Sequence, residues 1–307
     1  MSAVAETMTR SRIDAIGYDY GARSKEWIAD CNLCGSTRHV ELGNRDRYGF
    51  DAQLQLCARC GLAFISPRLT ADEYRAFYQS YYRPLVSAFK GGPVDWETLQ
   101  SDQRIYAREL GDFLAPRLGV APASILDVGG STGVVAAELC EELGSTATVL
   151  DPAPEDLRVA QEAGMETVEG VIEEFEPDGR QWDLVLVCQT IDHLLDVRGA
   201  LERVKSMVAP GGHVYVDVVD LLFAMRRAGS LEGAVKIDHP HYLTRATSIA
   251  FFESVGLDIV SERVSHDAHL LGFLLRPGSP GEPDWGSLGR SAEAIMDDVS
   301  RARAAGS

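Results

Sequence analysis

Basic residues are scarce in this sequence. Its 307 residues include 29 lysines and arginines against 46 aspartates and glutamates, which gives a formal net charge of -17. Proteins that bind nucleic acid neutralise its phosphates with clustered Lys and Arg, and proteins that dock on anionic lipid use similar basic clusters. The charge balance therefore argues against a nucleic-acid partner and against a membrane partner.

Long apolar runs are missing as well. No segment approaches the ~20 consecutive apolar residues of a membrane-spanning helix, and the most apolar stretch, residues 213–225, is interrupted by Asp217 and Asp220. The first residues lack the apolar core of a secretory signal peptide. We therefore expect a cytoplasmic protein. Thiols stay reduced there, so the six cysteines indicate metal binding or chemistry before disulfides.

Four of the six cysteines form two C-x-x-C-G motifs. Cys31 and Cys34 belong to the first motif and Cys57 and Cys60 to the second, with 22 residues between them. A C-x-x-C turn directs two sulfurs at one point, and two such turns complete a tetrahedral thiolate shell for zinc. The pattern predicts a structural zinc ion with no open position for substrate. Two redox pairs or reduced structural cysteines are the alternative interpretation.

The pattern divides the chain into four segments. Residues 1–30 are polar and without periodicity, which predicts a flexible leader, and 31–90 contain the cysteine motifs and an aromatic-rich helix pattern over 69–85. Residues 91–278 alternate strand and helix patterns and end in two adjacent strand patterns, and 279–307 form a C-terminal tail with a short helix. The alternation predicts an α/β fold with a mostly parallel sheet covered on both faces. The closing hairpin would add an antiparallel strand.

The turn after the first strand pattern of the third segment is rich in glycine. Its sequence, LDVGGSTG from Leu126 to Gly133, leads into a helix pattern. Glycines at such a place let backbone amides approach a ligand at the helix N-terminus. The dinucleotide fingerprint G-x-G-x-x-G fails here, because Val128 stands at its first glycine. A tight turn with no ligand is the plain alternative.

A second motif has a better match at this turn. Asp127, Gly129 and Gly133 fit the D-x-G-x-G-x-G turn of S-adenosylmethionine methyltransferases, with Ser131 at the middle glycine. Asp151 ends the next strand pattern, where a carboxylate can accept both hydroxyls of a ribose. A helix cap or an ordinary loop aspartate is the alternative role for Asp151.

Four motifs occur in order and at fitting distances: ILDVGGSTG, VLDP, WDLVLVCQTIDHLLD and VAPGGHVYV. Through them residues 99–277 resemble the class I S-adenosylmethionine-dependent methyltransferases. The resemblance implies a Rossmann-like, seven-stranded sheet with a reversed last strand and S-adenosylmethionine as cofactor. It places the ribose at Asp151, the adenine at Pro152 and the methionine end at Gln189. The full set of implied cofactor-binding positions is Asp127, Gly129, Gly130, Ser131, Gly133, Asp151, Pro152, Val171 and Gln189.

The N-terminal segment points to one subgroup of these methyltransferases. CNLCG, CARCGLAFISPRLT and YQSYYRPL are similar to zinc-containing methyltransferases of sugar, polysaccharide and natural-product pathways, among them deoxysugar C-methyltransferases. Those enzymes carry a Glu-His-x-x-Tyr-Phe element, and DHPHYLT from Asp238 to Thr244 is a looser match. The resemblance implies a small-molecule acceptor, such as a sugar, a nucleotide sugar or another polyhydroxylated intermediate, methylated at oxygen or carbon.

Methylation of a hydroxyl, or of a carbon beside a carbonyl, requires a base that removes a proton. Histidine suits this role because its ordinary pKa is near neutral. We expect His239, oriented by Asp238, to be the base, with His193 and His241 as the other candidates. The predicted lid and substrate contacts are Tyr81, Tyr82, Arg83 and Tyr242. A zinc-containing RNA methyltransferase and a non-catalytic binding protein with the same fold are the alternative functions.

Overall fold

The computed structural model describes residues 3–92, 96–265 and 270–306. The helices are α1 (Ala3–Asp14), α2 (Ala71–Ser80), α3 (Tyr82–Lys90), α4 (Trp96–Leu114), α5 (Val134–Leu143), α6 (Pro154–Glu162), α7 (Val197–Ser206), α8 (Leu221–Ala228), α9 (Leu231–Ala234), α10 (Arg245–Val255) and α11 (Trp285–Gly306). The strands are β1 (Lys25–Glu26), β2 (His39–Gly43), β3 (Leu54–Cys57), β4 (Ala63–Ile65), β5 (Arg68–Leu69), β6 (Ser124–Val128), β7 (Thr146–Asp151), β8 (Glu166–Glu169), β9 (Trp182–Val187), β10 (Val208–Val218), β11 (His241–Tyr242), β12 (Leu257–Val264) and β13 (Leu271–Pro277). Within these ranges the chain has no helix that combines the length and the apolar character needed to span a membrane.

The chain forms two compact units. The first unit consists of Met1–Leu99, Leu221–Tyr242 and Trp285–Ser307, and the second consists of Gln100–Asp220 and Leu243–Asp284. The first unit therefore takes residues from three separate parts of the sequence. The second unit contains the alternating strand and helix patterns.

The second unit is built on a seven-stranded sheet with strand order β12-β13-β10-β9-β6-β7-β8. The five strands β6 to β10 run parallel to one another. Strand β13 runs antiparallel to both β10 and β12. This confirms the predicted α/β fold with a seven-stranded, mostly parallel sheet and a reversed last strand. Part of the turn between β12 and β13, including the predicted strand start at His269, lies outside the described residues.

The central strands are apolar along their length because a parallel sheet is covered on both faces. Ile125 and Leu126 of β6 and the three residues 184–186 of β9 have no exposed surface. Tyr106 and Leu110 of helix α4 belong to one apolar cluster with Ile125 and Leu184 of these strands. Burial of each large aliphatic side chain contributes about 1.5–3 kcal/mol relative to exposure, so this core fixes the sheet on which the site is built.

The strand order places a crevice at the carboxyl ends of β6 and β9. From β6 the chain continues outward to β7 and β8, and it then returns to the other side of β6 as β9. In open α/β sheets a ligand crevice forms where the direction of strand succession reverses in this way. The loops after β6 and β9 therefore face each other across this point.

The first unit contains a four-stranded sheet of order β11-β4-β3-β2 and a two-stranded sheet of β1 and β5. Helix α11 is longer than the short tail helix that the sequence indicates. Its apolar residues recur at spacings of three and four, typical of one helix face, and they are buried: Leu288, Ala292, Ile295 and Val299. A Cβ added to Gly61 would lie 3.5 Å from Ala292, so α11 packs closely on the second cysteine motif.

Two other segments differ from the sequence pattern. Residues 1–30 show no periodicity, yet they contain helix α1, whose Arg12 donates a hydrogen bond to the carbonyl of Ala88 at 2.8 Å. The single helix predicted over 69–85 is two helices that meet at Tyr81. Pro84 explains the break, since its ring would clash with the carbonyl four residues earlier and it has no N–H to donate.

Candidate functional site

The glycine turn between β6 and α5 has a backbone that other residues adopt poorly. Gly129 and Gly133 both have a φ of 71°, and Gly133 caps the N-terminus of α5. A Cβ at Gly129 would lie 2.6 Å from the side chain of Thr190, and one at Gly133 would lie 2.5 Å from Cε of Met165. Both positions therefore require glycine for conformation and for space. The turn and the loop after β9 are in close contact through Thr190.

Ser131 occupies the left-handed region with a φ of 50°. Its backbone N–H donates to Oδ2 of Asp151 at 2.8 Å, and its hydroxyl donates to Oδ2 of Asp156 at 2.6 Å. Left-handed backbone is costly for a residue other than glycine unless its surroundings hold it there. These two bonds from the turn to β7 and α6 fix Ser131 at the place of the family's middle glycine.

Asp127 lies beneath the glycine turn with only 1% of its surface exposed. Its Oδ2 is buried without a hydrogen-bond partner, and a Cβ added to Gly130 would lie 2.6 Å from this atom. The pKa of Asp127 is raised to about 7, chiefly by burial and to a smaller extent by the neighbouring carboxylates of Asp151 and Asp217. A buried carboxylate oxygen without a donor is costly, so this position suits a ligand that supplies a donor or a positive charge.

Asp151 ends β7 and is 8% exposed. It accepts from the backbone N–H of Ala153 at 2.8 Å in addition to that of Ser131. The N–H of Gly170 donates to the carbonyl of Asp151 at 3.1 Å, which brings half-buried Val171 toward half-buried Pro152. The predicted ribose and adenine positions are therefore neighbours at one edge of the sheet.

Gln189 follows β9 and has a φ of 52°. Its N–H donates to Oδ1 of Asp217 at 2.6 Å, and Tyr106 of α4 donates its hydroxyl to Oδ2 of the same carboxylate. Asp217 is fully buried at the end of β10, and burial raises its pKa to about 6. No sequence motif assigns Asp217 or Tyr106 to the site. The available signal was an aspartate inside the otherwise apolar strand sequence VYVDVV.

The four cysteines of the two motifs converge in the first unit. Sγ of Cys31 lies 3.5 Å from that of Cys60, and Sγ of Cys34 lies 3.5 Å from that of Cys57. All four sulfurs lie within 4.8 Å of one another. A tetrahedral zinc site with Zn–S bonds of about 2.3 Å has sulfurs about 3.8 Å apart. The arrangement is therefore close to that of a four-thiolate metal centre.

The glycine after each cysteine pair has a defined role. Gly35 and Gly61 have φ values of 67° and 77°. The N–H of Gly35 donates to the carbonyl of Cys31 at 2.8 Å, and that of Gly61 donates to the carbonyl of Cys57 at 2.9 Å. The left-handed glycine closes each turn on its first cysteine, which directs both sulfurs to one side.

The segment from 237 to 242 is buried and held by backbone hydrogen bonds in the first unit. Asp238, His239 and His241 are 1%, 4% and 1% exposed. The hydroxyl of Tyr78 donates to the carbonyl of Asp238 at 2.9 Å, and strand β11 pairs with β4. His241 is therefore a strand residue, whereas Asp238 and His239 lie in the loop before it.

His239 has a closer polar neighbour than Asp238. Its Nε2 lies 3.1 Å from Nζ of Lys236, whereas Oδ2 of Asp238 is 3.6 Å away, an ion-pair distance that is too long for a hydrogen bond. The hydroxyl of Tyr242 accepts from the N–H of Lys236 at 2.6 Å and donates to its carbonyl at 2.7 Å. Tyr242 thus fixes Lys236, a residue that sequence reasoning missed because no motif marks it.

The remaining predicted residues are His193 and three residues at the α2–α3 junction. His193 belongs to the second unit, where it ends a 3-10 turn after β9 and donates its N–H to the carbonyl of Thr190 at 2.9 Å. Tyr81, Tyr82 and Arg83 are half-buried at the α2–α3 junction of the first unit. The ring of Tyr81 packs 4.7 Å from that of Tyr18, so this tyrosine packs within its own unit.

Comparison with known proteins gives one family and several relatives. The methyltransferase domain family matches residues 99–262. A ubiquinone biosynthesis O-methyltransferase from Methylobacterium nodulans is 30% identical over 157 residues, which cover 45% of this chain and 60% of that protein. The C-methyltransferase NovU from Streptomyces niveus is 23% identical over 264 residues, covering 79% of this chain and 59% of that protein. The chain thus spans about 60% of the length of these curated relatives.

Among solved structures, an O-methyltransferase family protein from Burkholderia thailandensis aligns with a TM-score of 0.49 and 13% identity. The alignment covers 67% of this chain and 64% of that one.

Proposed function

The chain belongs to the methyltransferase domain family, and we propose that it transfers the methyl group of S-adenosylmethionine to a small-molecule acceptor. One observation carries the proposal furthest. A buried carboxylate, Asp127, lies beneath a glycine turn at the reversal point of the sheet, and its Oδ2 has no donor. S-adenosylmethionine carries both a sulfonium and an ammonium group, which suit such an acceptor.

The residues present fit this cofactor. The turn keeps its conformation only because Gly129, Gly130 and Gly133 lack side chains, which would meet the protein's own atoms. The backbone of these glycines, together with Ser131, would hold the methionine part. Asp151 would accept from the ribose, Pro152 and Val171 would lie against the adenine, and Gln189 would lie beside the methionine end. When bound, the cofactor supplies an electrophilic methyl group on a positively charged sulfur. The protein's own task is to orient the acceptor in line with that methyl group and to exclude water.

The ribose contact gives the first testable prediction. Asp151→Ala removes the acceptor for two hydroxyls, and hydrogen bonds to a charged group contribute about 1.5–3 kcal/mol each. Because about 1.4 kcal/mol is a tenfold change in affinity, we expect the dissociation constant for S-adenosylmethionine to rise at least about tenfold in a calorimetric titration.

A matched control exists at the amino end of the same sheet. Asp183 also accepts from two backbone N–H groups, those of Ala123 at 2.9 Å and Ser124 at 3.0 Å. Asp183→Ala should therefore cost similar stability and leave cofactor affinity unchanged. Equal affinity of the wild type and Asp151→Ala would mean that the ribose position is wrongly assigned.

We also propose that the acceptor is a sugar, a nucleotide sugar or another polyhydroxylated biosynthetic intermediate, methylated at oxygen or carbon. The support is the resemblance of the cysteine motifs and the DHPHYLT element to sugar and natural-product methyltransferases, together with the match to a C-methyltransferase over 79% of the chain. The net charge of -17 favours such an acceptor over RNA. A panel of nucleotide sugars, incubated with the protein and S-adenosylmethionine and analysed by mass spectrometry, tests the acceptor class.

His239 is the proposed general base. Because the lysine ammonium has only donors, its approach to Nε2 within 3.1 Å uses that nitrogen as an acceptor and favours the unprotonated ring. A proton from the acceptor would then replace the lysine at Nε2 as the methyl group is transferred. Asp238, whose Oδ2 lies 3.6 Å from the same nitrogen, would then stabilise the protonated ring.

The four cysteines are proposed to bind a structural zinc ion. The support is the donor set itself, four thiols within 4.8 Å of one another, and the near-tetrahedral spacing of the sulfurs. When bound, zinc supplies folding energy directly. The strands β2 to β4 and helix α11 surround the second motif, so the metal would stabilise the first unit.

A further inference from the structure

The glycine turn has left-handed backbone at every second residue. Gly129, Ser131 and Gly133 have φ values of 71°, 50° and 71°. Glycine adopts this region freely, whereas for Ser131 the same conformation is costly unless its surroundings hold it there. An interaction of Ser131 must therefore offset the cost that the two glycines avoid.

The side chain of Ser131 makes such an interaction with helix α6. Its hydroxyl donates to Oδ2 of Asp156 at 2.6 Å, and Asp156 is a buried residue in the first turn of this helix. Hydrogen bonds to carboxylates are among the stronger ones in proteins. Leu157 and Ala160 of the same helix pack with Val149 of β7 in one buried apolar cluster, so the sheet fixes where this carboxylate lies.

The backbone of Ser131 in turn contacts the carboxylate proposed to bind the ribose. Its N–H donates to Oδ2 of Asp151 at 2.8 Å. The turn is anchored before this residue, where the N–H of Gly129 donates to the carbonyl of Leu150 at 2.7 Å, and after it, where Gly133 caps α5. A change of backbone conformation at Ser131 would therefore displace the N–H that Asp151 accepts.

We infer that Asp156 is a positioning residue for the cofactor site, and that it acts by holding Ser131 in its left-handed conformation. The inference rests on the proposed function, in which the turn and Asp151 bind S-adenosylmethionine. It requires no contact between Asp156 and the cofactor. When the bond between hydroxyl and carboxylate is lost, Ser131 relaxes, and a smaller fraction of the protein holds the turn ready for the ligand.

The size of the effect follows from that fraction. Left-handed backbone is disfavoured by about tenfold in population for a residue that has a Cβ. A ligand binds more weakly in proportion to the fraction of protein that is competent to bind it. Loss of the bond should therefore raise the dissociation constant for S-adenosylmethionine by about tenfold, unless residue 131 is itself changed to glycine.

The test is calorimetric titration of the full chain with S-adenosylmethionine, beginning with two substitutions at one position. Ser131→Ala removes the hydroxyl and keeps the Cβ, so we expect the dissociation constant to rise by about tenfold. Ser131→Gly removes the hydroxyl and the strain together, so its dissociation constant should stay within about threefold of the wild type. Equally weak binding by both variants would overturn the inference, because the hydroxyl would then be needed for its own contact with the cofactor.

Substitutions of Asp156 complete the test. Asp156→Ala should raise the dissociation constant by about tenfold on its own and by less than about threefold when combined with Ser131→Gly, where no strained residue needs holding. Asp156→Asn should stay close to the wild type, because its amide oxygen can accept the hydroxyl. Equal effects of Asp156→Ala with and without Ser131→Gly would overturn the inference. Should Asp156→Ala not fold, the two variants of Ser131 decide.

Two controls separate this effect from others. Glu155→Ala removes an acidic residue from the same first turn of α6, where Glu155 is exposed. Asp178→Gly relieves a φ of 51° in the exposed loop before β9. Neither should change the dissociation constant. Equal affinities of the wild type and Ser131→Ala would overturn the inference alone, whereas a wild type that binds no S-adenosylmethionine would contradict the proposed function and the inference with it.

Discussion

Replacing His239 by alanine is expected to reduce the turnover of methyl transfer by about 10²–10⁴-fold, the range typical for loss of a general base. The variant should still bind S-adenosylmethionine, because His239 is not among the proposed cofactor-binding residues. The physical reason is that His239 takes the acceptor proton in the proposed mechanism as the methyl group is transferred. Steady-state kinetics with the acceptor that the protein methylates, together with cofactor titration, measures both quantities.

Two variants serve as comparisons for this prediction. His193→Ala and His241→Ala should reduce turnover less, since His193 ends a 3-10 turn and His241 is paired in β11. Kinetics also distinguish a general base from a residue that only binds the acceptor. Loss of an acceptor contact raises KM and leaves kcat nearly unchanged. An unchanged kcat with a raised KM in His239→Ala would contradict the assignment of His239 as general base. It would indicate instead that His239 binds the acceptor.

Cys57→Ser is expected to remove the metal and to unfold the first unit. Apparent binding free energies of structural zinc in small domains are about 10–16 kcal/mol, comparable to the total stability of a domain, about 5–15 kcal/mol. Loss of one of the four thiolates also leaves the metal with an incomplete set of ligands. The lost ligand, Cys57, is a fully buried residue at the end of β3. Zinc analysis should give about one ion per chain for the wild type and little for the variant. Amide exchange should become faster in β2 to β4.

Cys140→Ser is the control, because Cys140 lies on α5 in the second unit and outside the four-cysteine cluster. This variant should keep the metal, and amide exchange in β2 to β4 should stay as slow as in the wild type. A wild-type protein that contains no zinc when purified without chelator would contradict the metal site, as would a Cys57→Ser variant that retains the ion.

The sequence predicted the second unit well because its signals are local and repeated. The strand patterns around β6, β7 and β9 and the glycine stops of α5 at Gly144 and of α10 at Gly256 each lie within one short window. The parallel order of the strands then follows from the alternation of strand and helix. The glycine turn is equally local, since its close contacts demand glycine at fixed positions.

The first unit was harder to predict. Its strands are two to five residues long, too short for periodicity to appear. Residues 221–242 join this unit from the middle of the methyltransferase pattern, and only tertiary packing decides that placement. The buried stripe of α11 was missed for the same reason, because amphipathic spacing at a chain end does not say what covers it.

The polar partners within the site depend on tertiary contacts as well. The contact between Lys236 and His239 requires the turn that Tyr242 fixes, and no sequence spacing reveals it. The hydrogen bond between Tyr106 and Asp217 joins residues that are 111 positions apart. Such pairs become visible only when the sheet and its covering helices are placed.

Binding of S-adenosylmethionine to the purified chain tests most directly that this protein is a methyltransferase whose cofactor lies on the glycine turn. Calorimetry should give about one molecule bound per chain in the wild type. Gly133→Val should lose this binding while the sheet stays folded by circular dichroism. A Cβ at this position would lie 2.5 Å from Cε of Met165, and residues with a Cβ rarely adopt its φ of 71°. A wild-type chain that binds no S-adenosylmethionine, or a folded Gly133→Val variant that binds it equally tightly, would contradict this assignment.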